Sequence, residues 1–177
     1  MRLDFGKYEG SVLLTSNRHI GIWAAAHFTR GSKSTRQAGQ LPTTASAHSL
    51  ELVALASSLR SITNGQAAKL MQDAPRGVTK PRILVVTADP TFADALLAKM
   101  KNDTATLATK PLKAGRNFLF EAARQLARFD LTFETSLETD DKSILALKHW
   151  AQLNVHSPKA IRGIPASLVP SAVSQIL

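Results

Sequence analysis

The sequence contains no cysteine, a single tyrosine and two tryptophans, and its acids are outnumbered by its bases. The missing cysteine excludes a disulfide framework, a Cys-ligated zinc site and a thiol nucleophile, and leaves the redox compartment undetermined. No apolar run approaches the roughly 18–20 residues of a membrane span. The first nine residues, MRLDFGKYE, carry acids where a signal or transit peptide avoids them, and no apolar segment follows the first basic residue. The expectation is a soluble, intracellular (cytoplasmic) protein. Aromatic residues make up only 6% of the chain, and most phenylalanines fall at core periodicity, so base stacking is a weak prospect.

What is present is positive charge and enough apolar matter for a core. Hydrophobic residues account for 44% of 177 residues, as in one ordinary domain with or without a tail. Lys and Arg number 22 against 13 Asp and Glu, giving a net charge of +9 and a pI near 10.3. A domain this basic has a field that favours polyanions, nucleic acid first among them, although basicity also serves solubility alone.

Periodicity divides the chain into a lead (1–10), a domain (11–153) and a Pro-containing C-terminal extension (154–177). Within the domain, SVLLTSN (Ser11 to Asn17) reads as a strand, Ile20 to Thr29 as a second and Ser34 to Leu41 as a third, with turns at Arg18-His19 and Arg30 to Lys33. The alanines of the second run favour helix, but the run is short between its glycines. Ser46 or Ser49 caps a helix to Ile62 with Leu52, Leu55, Ala56 and Leu59 on one stripe. Asn64 to Pro81 reads as a connection with one short helical turn at most. RILVVT (Arg82 to Thr87) is apolar without alternation, as in a strand buried on both faces. It is expected to be central, with Ser11 to Leu41 as antiparallel neighbours. Asp89-Pro90 opens a helix to about Met100. A basic loop follows, then a helix over Asn117 to Phe129, a strand over Leu131 to Thr135, and a helix from Asp140 or Asp141 to Leu153. The expected architecture is α/β, a mixed five-stranded sheet of three antiparallel strands followed by βα units, flanked by helices.

That order, and several local strings, resemble ribonuclease H. AGQLPTTASAHSLELVAL (from Ala38) is similar to the family's third strand and first helix, where a Gly and a Thr-Thr precede a Glu-Leu-x-Ala motif. ILVVTADPTF (from Ile83) is similar to its strand ending in Asp, followed by a polar residue and an aromatic. Lys110-Pro-Leu-Lys with Phe118 is similar to the basic run that opens the helix after the family's basic protrusion. The resemblance spans Ser11 to Leu153. It implies a nuclease that cuts the RNA strand of RNA–DNA hybrids with two Mg²⁺, hard cations about 4 Å apart that clustered carboxylates hold. It assigns the helix Glu to Glu51 and the strand Asp to Asp89.

The other two carboxylates depart from the pattern. Where the family has an Asp near the end of strand one, this sequence reads Leu14-Thr15-Ser16-Asn17, and neither Ser16 nor Asn17 carries the charge. Asp4 is the nearest upstream acid, and using it requires Leu3-Asp4-Phe5 as strand one and Ser11 to Asn17 as strand two. At the start of the last helix Ser143 takes the equivalent place, with Asp141 and Asp140 slightly before it. The candidate catalytic set is therefore Glu51, Asp89 and Asp141, vestigial or residual. Glu51 and Asp89 are metal ligands only if metal binding is retained, and no cofactor is expected unless Mg²⁺ binds there. Each also has a plain structural explanation: a helix dipole stabilises Glu51 in any protein, and Asp89 before Pro90 is an ordinary N-cap.

Other chemistry is absent at motif level. None of the five histidines sits at a spacing such as HExxH, and there is no GxSxG, Walker A loop or GxGxxG. Each histidine reads as a surface or capped residue. The basic protrusion says more: Lys99, Lys101, Lys110, Lys113, Arg116, Arg124 and Arg128 face only Asp103 and Glu121 in that stretch. Lys110, Lys113 and Arg116 recur every third residue across a loop-to-helix junction, a spacing compatible with one shared side, with Lys99, Lys101 and Arg124 as outriders. They are the candidate nucleic-acid contacts, or else a solvated basic face. Three readings follow: a catalytically impaired module binding duplex or RNA–DNA hybrid by its backbone, an active metal-dependent nuclease with altered ligands, or a scaffold for a protein partner, with the C-terminal extension as a partner surface.

Overall fold

The computed structural model describes residues 7–31, 33–41, 43, 45–72, 74, 76–98, 124–136 and 142–155. Five strands form one sheet: β1 (Gly10–Asn17), β2 (Ile22–Thr29), β3 (Thr35–Gln40), β4 (Arg82–Thr87) and β5 (Asp130–Thr135). Their order across the sheet is β3-β2-β1-β4-β5. β1 pairs antiparallel with β2 and β2 with β3, whereas β4 lies parallel to both β1 and β5. The expected mixed sheet of three antiparallel strands followed by βα units is the one observed. One detail differs. β4 is internal, but its neighbours are parallel, because the chain crosses over through a long helix before adding it beside β1. The middle strand is β1.

Gly10–Asn17 takes the central place, and Asp4 lies outside the described residues. The β1–β2 connection is tight: the Asn17 side-chain oxygen accepts the His19 amide at 3.2 Å, and Gly21 adopts φ 66°, a left-handed conformation that a Cβ would strain.

Period-two alternation sorts the strand residues between two layers. Val12, Leu14, Trp23, Ala25, Ile83 and Val85 pack on one face against α1 (Ala47–Gln72) and the helical residues 92–98, termed α2. Leu13, Ile22, Ala24, Ala26, Leu84 and Val86 pack on the other against Ile144, Leu147 and Ala151 of α3 (Lys142–Asn154). The alanines of β2 are thereby explained. They alternate between the two layers, and their small side chains let a helix lie close on each face. Among the described residues, no helix is long and apolar enough to cross a membrane.

Ser46 is the N-cap of α1: its hydroxyl accepts the Ser49 amide at 3.0 Å. The helix does not stop near Ile62 but continues to Gln72, through the stretch expected to be a connection. No proline interrupts residues 47–72, and one interior glycine, Gly65, costs only about 1 kcal/mol relative to Ala. Burial of Leu70 in the core offsets that cost. At the strand starts, Arg82 forms a bidentate contact with the buried Glu9, its guanidinium reaching Oε1 at 2.6 Å while its amide donates to Oε2 at 2.6 Å. This pair ties the entry of β1 to the entry of β4, at the end of the sheet away from the cleft described next.

Candidate functional site

The carboxyl ends of β1 and β4 meet the N-terminal half of α1. In open α/β sheets this end of parallel strands is where ligands bind. The β1–β4 register pairs Leu13 with Val86. Ser16 and Asp89 each lie three residues beyond that pair, at the same end of the sheet. Alternation puts Ser16 on the same face as Val12 and Leu14, and Thr87 on the same face as Ile83 and Val85, which is the α1 face. There they meet Glu51, in the second turn of α1. Ser16, Glu51, Ala88, Asp89 and Pro90 line an open cleft of about 270 Å³.

Glu51 is buried, with 1% of its surface exposed. Both its carboxylate oxygens meet hydroxyls: Ser16 Oγ donates to Oε1 at 3.5 Å and Thr87 Oγ1 donates to Oε2. Thr87 Oγ1 in turn accepts the Asp89 amide at 3.0 Å, so the main chain of Asp89 is linked to the carboxylate of Glu51 through one side chain.

Asp89 is engaged at both oxygens. Its Oδ1 accepts the Thr91 amide at 2.9 Å and the Thr91 hydroxyl at 2.7 Å, and its Oδ2 lies 3.2 Å from Nε2 of His48. The Phe92 amide donates to the Asp89 carbonyl at 3.3 Å, and Asp89 starts α2 as an N-cap. Burial by itself raises the Asp89 carboxyl. The Thr91 hydrogen bonds and the charge of His48 outweigh it and hold the group below the usual aspartate range.

The structure thus brings Glu51 and Asp89 to one cleft. Asp141 and Asp140 lie outside the described residues, as do Lys99, Lys101, Lys110, Lys113 and Arg116. Arg124 is described and exposed. Its neighbour Gln125 accepts a hydrogen bond from Thr63 Oγ1 at 3.2 Å, and Thr63 lies twelve residues, about 18 Å, along α1 from Glu51. Arg124 therefore stands toward the far end of that helix from the cleft. Sequence reasoning missed His48, which it read as a capped or surface residue. The one available signal was its position three residues before Glu51, on the same helix face.

A two-metal centre needs a cluster of carboxylates with free lone pairs. Among the described residues, no group of three or more His, Asp or Glu is arranged to hold a metal ion. Ser16 supplies a hydroxyl where the resemblance implies a carboxylate, Glu51 is engaged by two hydroxyls, and Asp89 is engaged at both oxygens. The described residues do not fit the metal pair.

No protein-family model matches the sequence, and no curated protein matches it. Solved structures do. The native crystal structure of the prototype foamy virus protease–reverse transcriptase superposes with a TM-score of 0.51 at 13% identity, covering 87% of this chain and 21% of that one. This chain thus spans about a fifth of that protein's length. The foamy viral protease–reverse transcriptase in complex with dsDNA gives 0.49 at 12% identity over 86% of this chain and 95% of that one. The solution structure of the PFV RNase H domain gives 0.46 at 14% identity over 86% of this chain and 94% of that one. The strand order and the first of these likenesses agree on one conclusion: the fold is ribonuclease H-like.

Proposed function

We propose that this chain is a nucleic-acid-binding module on a ribonuclease H-like frame, with impaired catalysis, that holds duplex or RNA–DNA hybrid through backbone contacts. The observation that carries the reading is Ser16. It occupies the central-strand position facing Glu51, beside Asp89, and a neutral hydroxyl there removes the charge a bridged metal pair requires. A frame that keeps the cleft with two carboxylates and a serine in place of another, on a chain of net charge +9, is suited to hold a polyanion rather than to cut it.

Binding of this kind rests on counterion release, so each neutralised phosphate lowers affinity as salt rises. Lys110, Lys113 and Arg116 are the proposed principal contacts, with Lys99, Lys101 and Arg124 flanking them. Aromatics make up only 6% of the chain, and the expected binding is weakly dependent on sequence. The test is a titration of duplex and hybrid at several salt concentrations, on wild type and on the K110E/K113E/R116E variant. The variant weakens binding to all sequences alike and flattens the salt slope by about one unit per lost contact. A wild type that binds neither nucleic acid at low salt, or a variant that keeps the full slope, refutes the reading.

A further inference from the structure

His48 lies in the first turn of α1, three residues before Glu51, and its ring faces the cleft's second carboxylate. Nε2 sits 3.2 Å from Asp89 Oδ2 and 2.8 Å from Thr91 Oγ1. The tautomer follows from the neighbours. Thr91 has one hydroxyl proton, and it is given to Asp89 Oδ1 at 2.7 Å. The oxygen of Thr91 is then an acceptor toward the ring, so Nε2 carries a proton and donates it to Thr91 at 2.8 Å, with the anionic Oδ2 of Asp89 3.2 Å from the same nitrogen. The ring is held from the side by the buried Phe92, with centroids 6.3 Å apart and planes tilted by 51°.

The consequence concerns cations. Oδ1 of Asp89 accepts two donors from Thr91, and Oδ2 has Nε2 of His48 as its ion-pair partner 3.2 Å away. A divalent ion approaching Oδ2 meets the His48 ring 3.2 Å from the oxygen it needs, and must displace the ring to bind there. We infer that His48 is a positioning residue that occupies the cation's place at Asp89, keeping the carboxylate paired and the cleft closed to divalent metal. The inference rests on the reading of the cleft as short of carboxylates, and deepens it. Ser16 removes a ligand, and His48 blocks one that remains.

The decisive measurement is Mn²⁺ binding to the full chain, followed by the resonance of free Mn²⁺ and accompanied by circular dichroism to confirm folding. Wild type, H48A and H48Q are compared, each alone and with S16D, which returns a carboxylate to the cleft. Removing the ring raises Mn²⁺ affinity about tenfold over the parent, the scale on which neighbours of a ligand tune metal binding. H48Q restores an N–H donor and stays within about twofold of its parent. Adding D89N to H48A abolishes the gain. Equal affinities for H48A and its parent in both backgrounds overturn the inference, as does an H48Q that behaves like H48A, or a gain that survives D89N. If S16D does not fold, H48A against H48Q in the wild-type background decides. Tight Mn²⁺ binding by wild type overturns the depleted-site reading itself. Failure of the wild type to bind nucleic acid, by contrast, removes the proposed function and leaves the role of His48 standing.

Discussion

The hydroxyl of Thr87, the last residue of β4, donates to the buried carboxylate of Glu51 on α1, while accepting the amide of Asp89 at 3.0 Å. One threonine thus connects strand, helix and loop at the cleft. The Thr87 side chain is fully buried, so its hydroxyl has no water to turn to. Thr87→Val keeps the shape and deletes the donor. The expected cost is about 1–3 kcal/mol, read as a lowered urea midpoint, because a buried polar group is taken from its partner. Thr87→Ser, which keeps the hydroxyl, is expected to lose less. Equal losses in the two variants would assign the effect to packing instead.

A second tie lies at the opposite end of the sheet. Burial by itself raises the Glu9 carboxyl, but the hydrogen bonds and charge of Arg82 outweigh it and hold the group below the usual glutamate range. A carboxyl held low in the folded state binds fewer protons than in the unfolded chain. Its contribution is therefore fully present above the ordinary glutamate range, and is lost as pH falls through its folded-state value. Glu9→Gln is expected to destabilise the protein at pH 7, with the gap to wild type shrinking toward pH 3. Urea melts of both proteins at the two pH values check this, and a gap that stays constant with pH would contradict it.

Gly39 in β3 lies under the indole of Trp23, its cross-strand partner in β2. A Cβ built on Gly39 would stand 2.7 Å from ring carbons of Trp23, which is itself 2% exposed. The rigid ring has no solvent to move into. Gly39→Ala is expected to cost about 1–3 kcal/mol by overpacking, seen in the midpoint of chemical unfolding. An unchanged midpoint would mean that the indole shifts freely.

Catalysis offers the plainest test of the cleft. With Ser16 in place of a carboxylate and His48 on Asp89, no magnesium-dependent cleavage of an RNA–DNA hybrid above background is expected. Robust cleavage abolished by Glu51→Gln or Asp89→Asn would show that a working ligand set exists, and would point to Asp4, Asp140 or Asp141 as its missing members.

Much of the frame was readable in the chain. The apolar runs at Ser11 to Asn17 and Arg82 to Thr87 predict strands because a residue between two layers must be apolar whichever way it points. Glu51 and Asp89 were visible because each sits inside a local string, one opening a helix and one closing a strand. The length of α1 was not readable. Asn64 and Gly65 look like a stop in isolation, yet burial of Leu70 carries the helix past them. Nor was the direction of the partners of β4, which depends on where the crossover returns the chain.

What the sequence determined by itself is the alternation and the charge: which residues belong in a sheet interior, where helices begin, and a surplus of bases that favours polyanions. These are local or additive properties, and they need no knowledge of neighbours. What only the tertiary structure decided is who meets whom at the cleft. His48 and Asp89 are separated by 41 residues, and Ser16 and Glu51 by 35. No spacing rule links either pair. They meet because β1 and β4 lie side by side with their carboxyl ends under the first turns of α1, and hydrogen bonds reward contact in space rather than proximity along the chain.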